Sequence, residues 1–88
     1  MRKRFTTSKF DRRLVIFIKS HPNLSQRTGE IMDKIVKSPF DRNLKTHKLS
    51  GRLNYCFASN INYEYRVVFL ITDETITFID IGSHDEVY

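Results

Sequence analysis

From Lys9 onward the apolar residues Phe10, Leu14, Phe17 and Ile18 recur at i, i+4, i+7 and i+8. That spacing builds one apolar stripe on a helix and leaves Asp11, Arg12 and Lys19 to solvent. Ser8 can cap this helix, and Ser20-His21-Pro22-Asn23 ends it, because proline disfavours helical geometry in the residue before it. A second helix is expected from Ser25 to Ser38, with Ile31, Met32, Ile35 and Val36 as its buried face. Gly29 weakens its early turns, and Pro39 stops it. Its basic residues Arg27, Lys34 and Lys37 are spaced so that they cannot all lie under a core.

Elsewhere the period is two. Phe5-Thr6-Thr7 suffices for a short first strand, whose charged beginning suits a sheet edge. Phe40 to Gly51 reads as the passage from helices to sheet, anchored by Leu44 and Leu49 and turned by Ser50-Gly51. Leu53 to Ser59 sets large apolar residues at 53, 55 and 57 against smaller ones between them, which predicts a strand with one better-buried face. Asn60 to Tyr63 turns the chain. Tyr65 to Ile71 and Thr75 to Ile81 are dense in β-branched and aromatic residues, so each is expected to be a central strand, with Thr72-Asp73-Glu74 closing an antiparallel hairpin. The expected fold is a single α+β domain over residues 1–88. It has a small curved antiparallel sheet in β-α-α-β-β-β order, with two N-terminal helices packed on one face.

Charge changes the picture more than composition does. Residues 1–52 hold fourteen of the fifteen Lys and Arg against four acids, a formal +10. The remainder holds one base against six acids, a formal −5. A basic half of this kind suits a polyanion such as nucleic acid, and the bland alternative is a solvated basic surface. Cys56 is the only cysteine, which excludes an internal disulfide and a cysteine-based zinc site and fits a reducing compartment. No apolar run approaches the roughly 18 residues of a membrane span, and no signal-peptide core follows Met1. The expectation is a cytoplasmic protein with no membrane contact.

Within the last 25 residues Arg66, His84 and Tyr88 stand out, since no other base follows Arg52. Three ordered stretches carry a family resemblance: Leu44-Lys45-Thr46-His47-Lys48-Leu49-Ser50-Gly51, Glu64-Tyr65-Arg66-Val67-Val68-Phe69, and Ile81-Gly82-Ser83-His84-Asp85-Glu86-Val87-Tyr88. They resemble the RelE/ParE superfamily of toxins, and most of all the YafQ-like branch of RelE-type mRNA interferases. The likeness covers nearly the whole chain. It implies a RelE-like fold and a type II toxin-antitoxin toxin that cleaves mRNA on the ribosome without metal or cofactor, the RNA's own 2′-hydroxyl attacking the adjacent phosphate. It also implies a cognate antitoxin as partner.

Such chemistry needs a base, positive charge on the phosphate and an acid for the leaving oxygen. By the resemblance Arg66 holds phosphate oxygens through its planar guanidinium; an ion pair with Glu64 is the competing structural role. His84 matches the family histidine after the last strand and is the expected general acid. His47 is a candidate base or phosphate ligand, and Glu64 a candidate base or an orienting group. Tyr88 matches a C-terminal aromatic that stacks on a base, against simple packing of the chain end. Lys45, Lys48 and Arg52 line the groove and hold RNA phosphates. The better-known RelE branch relies on lysines and arginines, so the identity of the base stays open. Two other readings share the fold: a ParE-like, non-enzymatic inhibitor of DNA gyrase, and a degenerate toxin that retains only antitoxin binding. His21 reads as structural or incidental, and Cys56 as a small core residue.

Overall fold

The computed structural model describes residues 1–87. Its elements are β1 (Lys3–Thr6), α1 (Ser8–Ser20), α2 (Ser25–Lys37), β2 (His47–Lys48), β3 (Phe57–Asn60), β4 (Tyr65–Ile71), β5 (Thr75–Ser83) and α3 (His84–Val87). Short 3₁₀ turns at Pro22–Leu24, Arg42–Leu44 and Gly51–Leu53 join them. The five strands form one sheet in the order β1-β5-β4-β3-β2. From β2 to β5 every pairing is antiparallel, as the meander pattern predicts, but β1 joins β5 in parallel and makes the sheet mixed.

Both helices lie on one face. Phe10 and Phe17 of α1 and Met32, Ile35 and Val36 of α2 pack against Val67, Phe69, Ile76, Phe78 and Ile81 of the sheet. The cap of α1 is Thr7, one residue before the expected Ser8: its hydroxyl accepts from the Phe10 N–H at 3.0 Å. The α1 chain end is closed by the His21 N–H donating to the Phe17 carbonyl, after which Pro22 opens a 3₁₀ turn.

The opposite face carries a smaller apolar cluster of Leu49, Cys56, Ala58, Val68 and Val87. Strand alternation alone would send Asp80 rather than Ile81 to the helix-side core. A bulge prevents this: Val68 pairs with Asp80 while Phe69 pairs with Phe78, so Ile79 is the extra residue and the phase flips. Ile81 then joins the core, and Asp80, only 5% exposed, is neutralised by Arg13 at 3.1 Å and Lys9 at 3.4 Å.

The strand expected from Leu53 to Ser59 is shorter and differently faced. Leu53 ends a 3₁₀ turn, Tyr55 is exposed, and the buried residues are Cys56, Ala58 and Ser59. The Cys56 N–H donates back to the Leu53 carbonyl at 2.9 Å, so residues 53–56 curl where a strand would run straight. Buried Ser59 is satisfied: Thr46 donates to the Pro39 carbonyl at 2.6 Å, which leaves its oxygen to accept from the Ser59 hydroxyl at 2.5 Å. The passage between helices and sheet also holds a strand of its own, β2, which carries His47 to the sheet edge. No helix of the described residues is long and apolar enough to cross a membrane.

Candidate nucleic-acid interface

Register places Arg66 and His47 on the sheet face opposite α1 and α2, the face on which α3 also packs. In β4, Tyr65, Val67 and Phe69 face the helices, so Arg66 shares the other side with Val68 and Leu70. His47 pairs with Ala58, which pairs with Val68, so His47 lies in the row adjacent to Arg66 on that face. Two strand spacings, roughly 10 Å, separate β2 from β4. Arg66 itself pairs with Gly82, and Tyr65 with Ser83, on the strand to its other side; His84 follows directly as the first residue of α3. Glu64 precedes Tyr65, whose partner Ser83 precedes His84. None of His47, Arg66 and His84 is without a partner.

Each is positioned by local structure. The His47 Nδ1 lies 3.2 Å from the Lys45 carbonyl. A carbonyl can only accept, so the neutral ring carries its proton on Nδ1 and its lone pair on Nε2. Glu64 is held by Asn62, whose side-chain oxygen accepts the backbone N–H groups of Glu64 at 2.9 Å and Tyr65 at 2.8 Å. His84 opens α3 inside a reciprocal cap: the Ser83 N–H donates to Glu86 Oε1 at 2.9 Å, and the Glu86 N–H reaches the Ser83 hydroxyl at 3.4 Å. These hydrogen bonds from the Ser83 backbone and hydroxyl, with Arg13 and His21 nearby, hold the Glu86 carboxyl below the usual glutamate range. Gly82 makes the packing possible, since a Cβ there would stand 3.0 Å from both Arg13 Nη2 and Glu86 Oε1.

A groove of about 980 Å³ crosses this face. His47, Lys48, Arg52 and Tyr55 line one part of it, and Lys9 and Asp80 another. Lys45, Lys48 and Arg52 are all exposed. Arg66 and His84 are not among the groove's lining residues; α3, which packs Val87 into the apolar cluster, lies beside them on β4 and β5. Tyr88, the expected stacking residue, lies outside the described residues. Among the described residues no group of three or more His, Cys, Asp or Glu is arranged to hold a metal ion.

Sequence reasoning gave His21 as structural or incidental, and the structure supplies its partners. Its Nδ1 lies 3.1 Å from the Phe17 carbonyl and so donates to it, and its Nε2 lies 2.8 Å from the Tyr65 hydroxyl. Burial first, then the neighbouring Glu64 carboxylate, pushes the Tyr65 hydroxyl above its ordinary value. No local sequence signal pairs residues 44 positions apart. The cap on His84 was legible, since Ser83-x-x-Glu86 is the capping-box spacing.

No family model and no curated protein matches the chain. Solved structures do. The chain superposes on YafQ from E. coli with a TM-score of 0.87 at 14% identity, covering 100% of this chain and 99% of that one. A chain of the E. coli DinJ-YafQ complex matches with a TM-score of 0.85 at 14% identity and the same coverage. One from the YoeB-YefM complex of Staphylococcus aureus gives 0.76 at 18% identity, covering 96% of this chain and 98% of that one. At full length in both directions, and with identity this low, the likeness is one of architecture: the chain has the RelE-like toxin fold, in the form seen in YafQ.

Proposed function

We propose that this chain is the toxin of a toxin-antitoxin pair and that its sheet face opposite α1 and α2 cleaves mRNA on the ribosome. The observation that supports the reading is the strand register: Arg66 pairs with Gly82, two residues before His84, on one side, and His47 lies on β2, two strands away on the other. Displacement at phosphorus needs its base and its acid on opposite sides of the phosphate, with positive charge between them. His47 takes the proton from the ribose 2′-hydroxyl. The 2′-oxygen then bonds to phosphorus, the bond from phosphorus to the 5′-oxygen breaks, and His84 supplies the proton that the leaving oxygen needs. The products are a 2′,3′-cyclic phosphate and a 5′-hydroxyl end. Arg66 neutralises the charge that builds on the non-bridging oxygens. Glu64, on the His84 side, orients rather than abstracts. Lys45, Lys48 and Arg52 hold flanking phosphates, and the reaction uses no metal or cofactor.

The E. coli and S. aureus neighbours include complexes of two named proteins, DinJ with YafQ and YoeB with YefM. By the same fold this chain has a cognate antitoxin, and the +10 half of its sequence suits an acidic one. The test is mapping of mRNA 5′ ends in a translating extract, with the wild-type chain beside His84→Ala and Arg66→Ala. New ends within codons, seen only during translation and suppressed about 100-fold in both variants, support the reading. Toxicity without cleavage replaces it with gyrase inhibition. Cleavage undiminished in the variants means a different site.

A further inference from the structure

The connection from β2 to β3 is pinned at both ends and through its middle. Leu49 and Cys56 are buried, and the Leu49 N–H donates to the Cys56 carbonyl at 3.0 Å. Inside that closure the Asn54 N–H donates to Gly51 O at 3.2 Å, and the Cys56 N–H to Leu53 O at 2.9 Å. The turn between has little freedom left. Its one aromatic residue, Tyr55, nevertheless stays 59% exposed and, among the described residues, enters no aromatic pair.

An exposed tyrosine contributes little to the core, so its placement calls for a partner outside it. Tyr55 lines the groove together with His47, Lys48 and Arg52. Gly51 beside it has nothing within 4 Å of the position a Cβ would take, which leaves the approach open. A rigid ring flanked by cations in a groove matches the chemistry of an unpaired nucleotide, whose base stacks on the ring while its phosphates meet the cations.

We infer that Tyr55 is the stacking platform for one unpaired base of single-stranded RNA in this groove, with Arg52 and Lys48 on the adjoining phosphates. The inference deepens the cleavage reading and rests on it for the identity of the strand, because it names where sequence preference arises. Stacking on a ring whose position is fixed by a pinned turn selects among bases by their stacking strength and by what the neighbouring backbone can reach.

The test uses the full chain and a short single-stranded RNA methylated at every 2′-hydroxyl, which binds but cannot be cut. The chain has no tryptophan, so Tyr55→Trp installs a single reporter whose fluorescence a stacked base quenches. The expected results are quenching in Tyr55→Trp, wild-type affinity in Tyr55→Phe, and a loss of about tenfold or more in Tyr55→Ala at unchanged melting temperature. Replacing bases one at a time by abasic sites then costs wild type affinity at one position and costs Tyr55→Ala nothing there. Affinity within twofold of wild type in Tyr55→Ala, absence of quenching, or no binding by wild type overturns the inference. A Tyr55 that contacts a protein partner instead gives the first of these. His84→Ala and Arg66→Ala, assayed for cleavage as above, fail or pass independently of this binding measurement.

Discussion

The imidazole of His21 and the hydroxyl of Tyr65 meet at 2.8 Å, joining the end of α1 to the start of β4 across 44 residues of chain. Their rings also lie 4.5 Å apart, and Phe17 packs edge-on against Tyr65. The pair therefore fixes the residue that stands between Glu64 and Arg66. Tyr65→Phe removes the hydroxyl that meets Nε2, and lowers the urea midpoint of unfolding without changing its slope. The folded state holds the phenolic proton more tightly than the unfolded chain does. The contribution is thus complete below about pH 10, the ordinary value, and is lost as pH rises through the higher folded one. The gap between wild type and Tyr65→Phe narrows as midpoints are measured at pH values rising above the ordinary one.

Under the proposed function, a base and an acid on opposite sides of Arg66 give cleavage a bell-shaped pH profile. His47→Ala removes the acidic limb and His84→Ala the alkaline one. Each of these, and Arg66→Ala, lowers the rate by about 100-fold, and the triple variant falls far short of the product of the three, since the groups act on one transition state. A profile whose limbs survive both histidine substitutions assigns proton transfer elsewhere.

The cap that seats His84 titrates. Glu86 is held below the ordinary value of 4.5, so what it adds to the order of α3 is fully present above that pH and is lost as pH falls through the lower folded value. Amide exchange at Val87 speeds up over that acid range in wild type and is insensitive to pH in Glu86→Gln once the intrinsic exchange rate is divided out. Ser83→Ala, which removes the other half of the cap, costs about 1 kcal/mol or less at neutral pH by urea denaturation.

Thr28 is fully buried in α2, and its hydroxyl finds no hydrogen-bond partner among the described residues. Burying an unpaired hydroxyl is unfavourable, and valine has nearly the same shape. Thr28→Val raises unfolding free energy by about 1 kcal/mol, read from the urea midpoint at constant slope. A loss instead of a gain places a polar partner at that hydroxyl.

The helices and the β4-β5 hairpin were legible because each is set by local periodicity: Phe10, Phe17, Ile35 and Val36 are buried where a 3.6-residue repeat puts them. What escaped depended on distant partners. Tyr55 and Leu53 satisfy strand alternation, yet Leu49 and Cys56 close a turn around them, and beyond it 56 and 58 enter the smaller cluster while Phe57 packs on the helix-side core. The bulge at Ile79 inverts the phase that Asp80 and Ile81 would have by alternation, and only the burial of Asp80 against Lys9 and Arg13 explains why that is tolerated. The parallel placement of β1 depends on residues 71 positions away, such as the Lys3 N–H donating to the Glu74 carbonyl. At the site the resemblance supplied residue types, and register supplied their order across the sheet. The structural partner of His21 was invisible because it is in another element.

Cys56 anchors the turn that carries Arg52 and Tyr55, and it is the only thiol in the chain. Burial pushes that thiol above its ordinary value, against a smaller opposing effect of Tyr55, so in the closed turn it is both shielded and short of reactive thiolate. Alkylation then has to wait for the turn to lift. The chain thus contains its own clock for the breathing of this surface: the rate at which a thiol reagent labels native protein counts the openings, and an RNA strand lying across the turn slows the count.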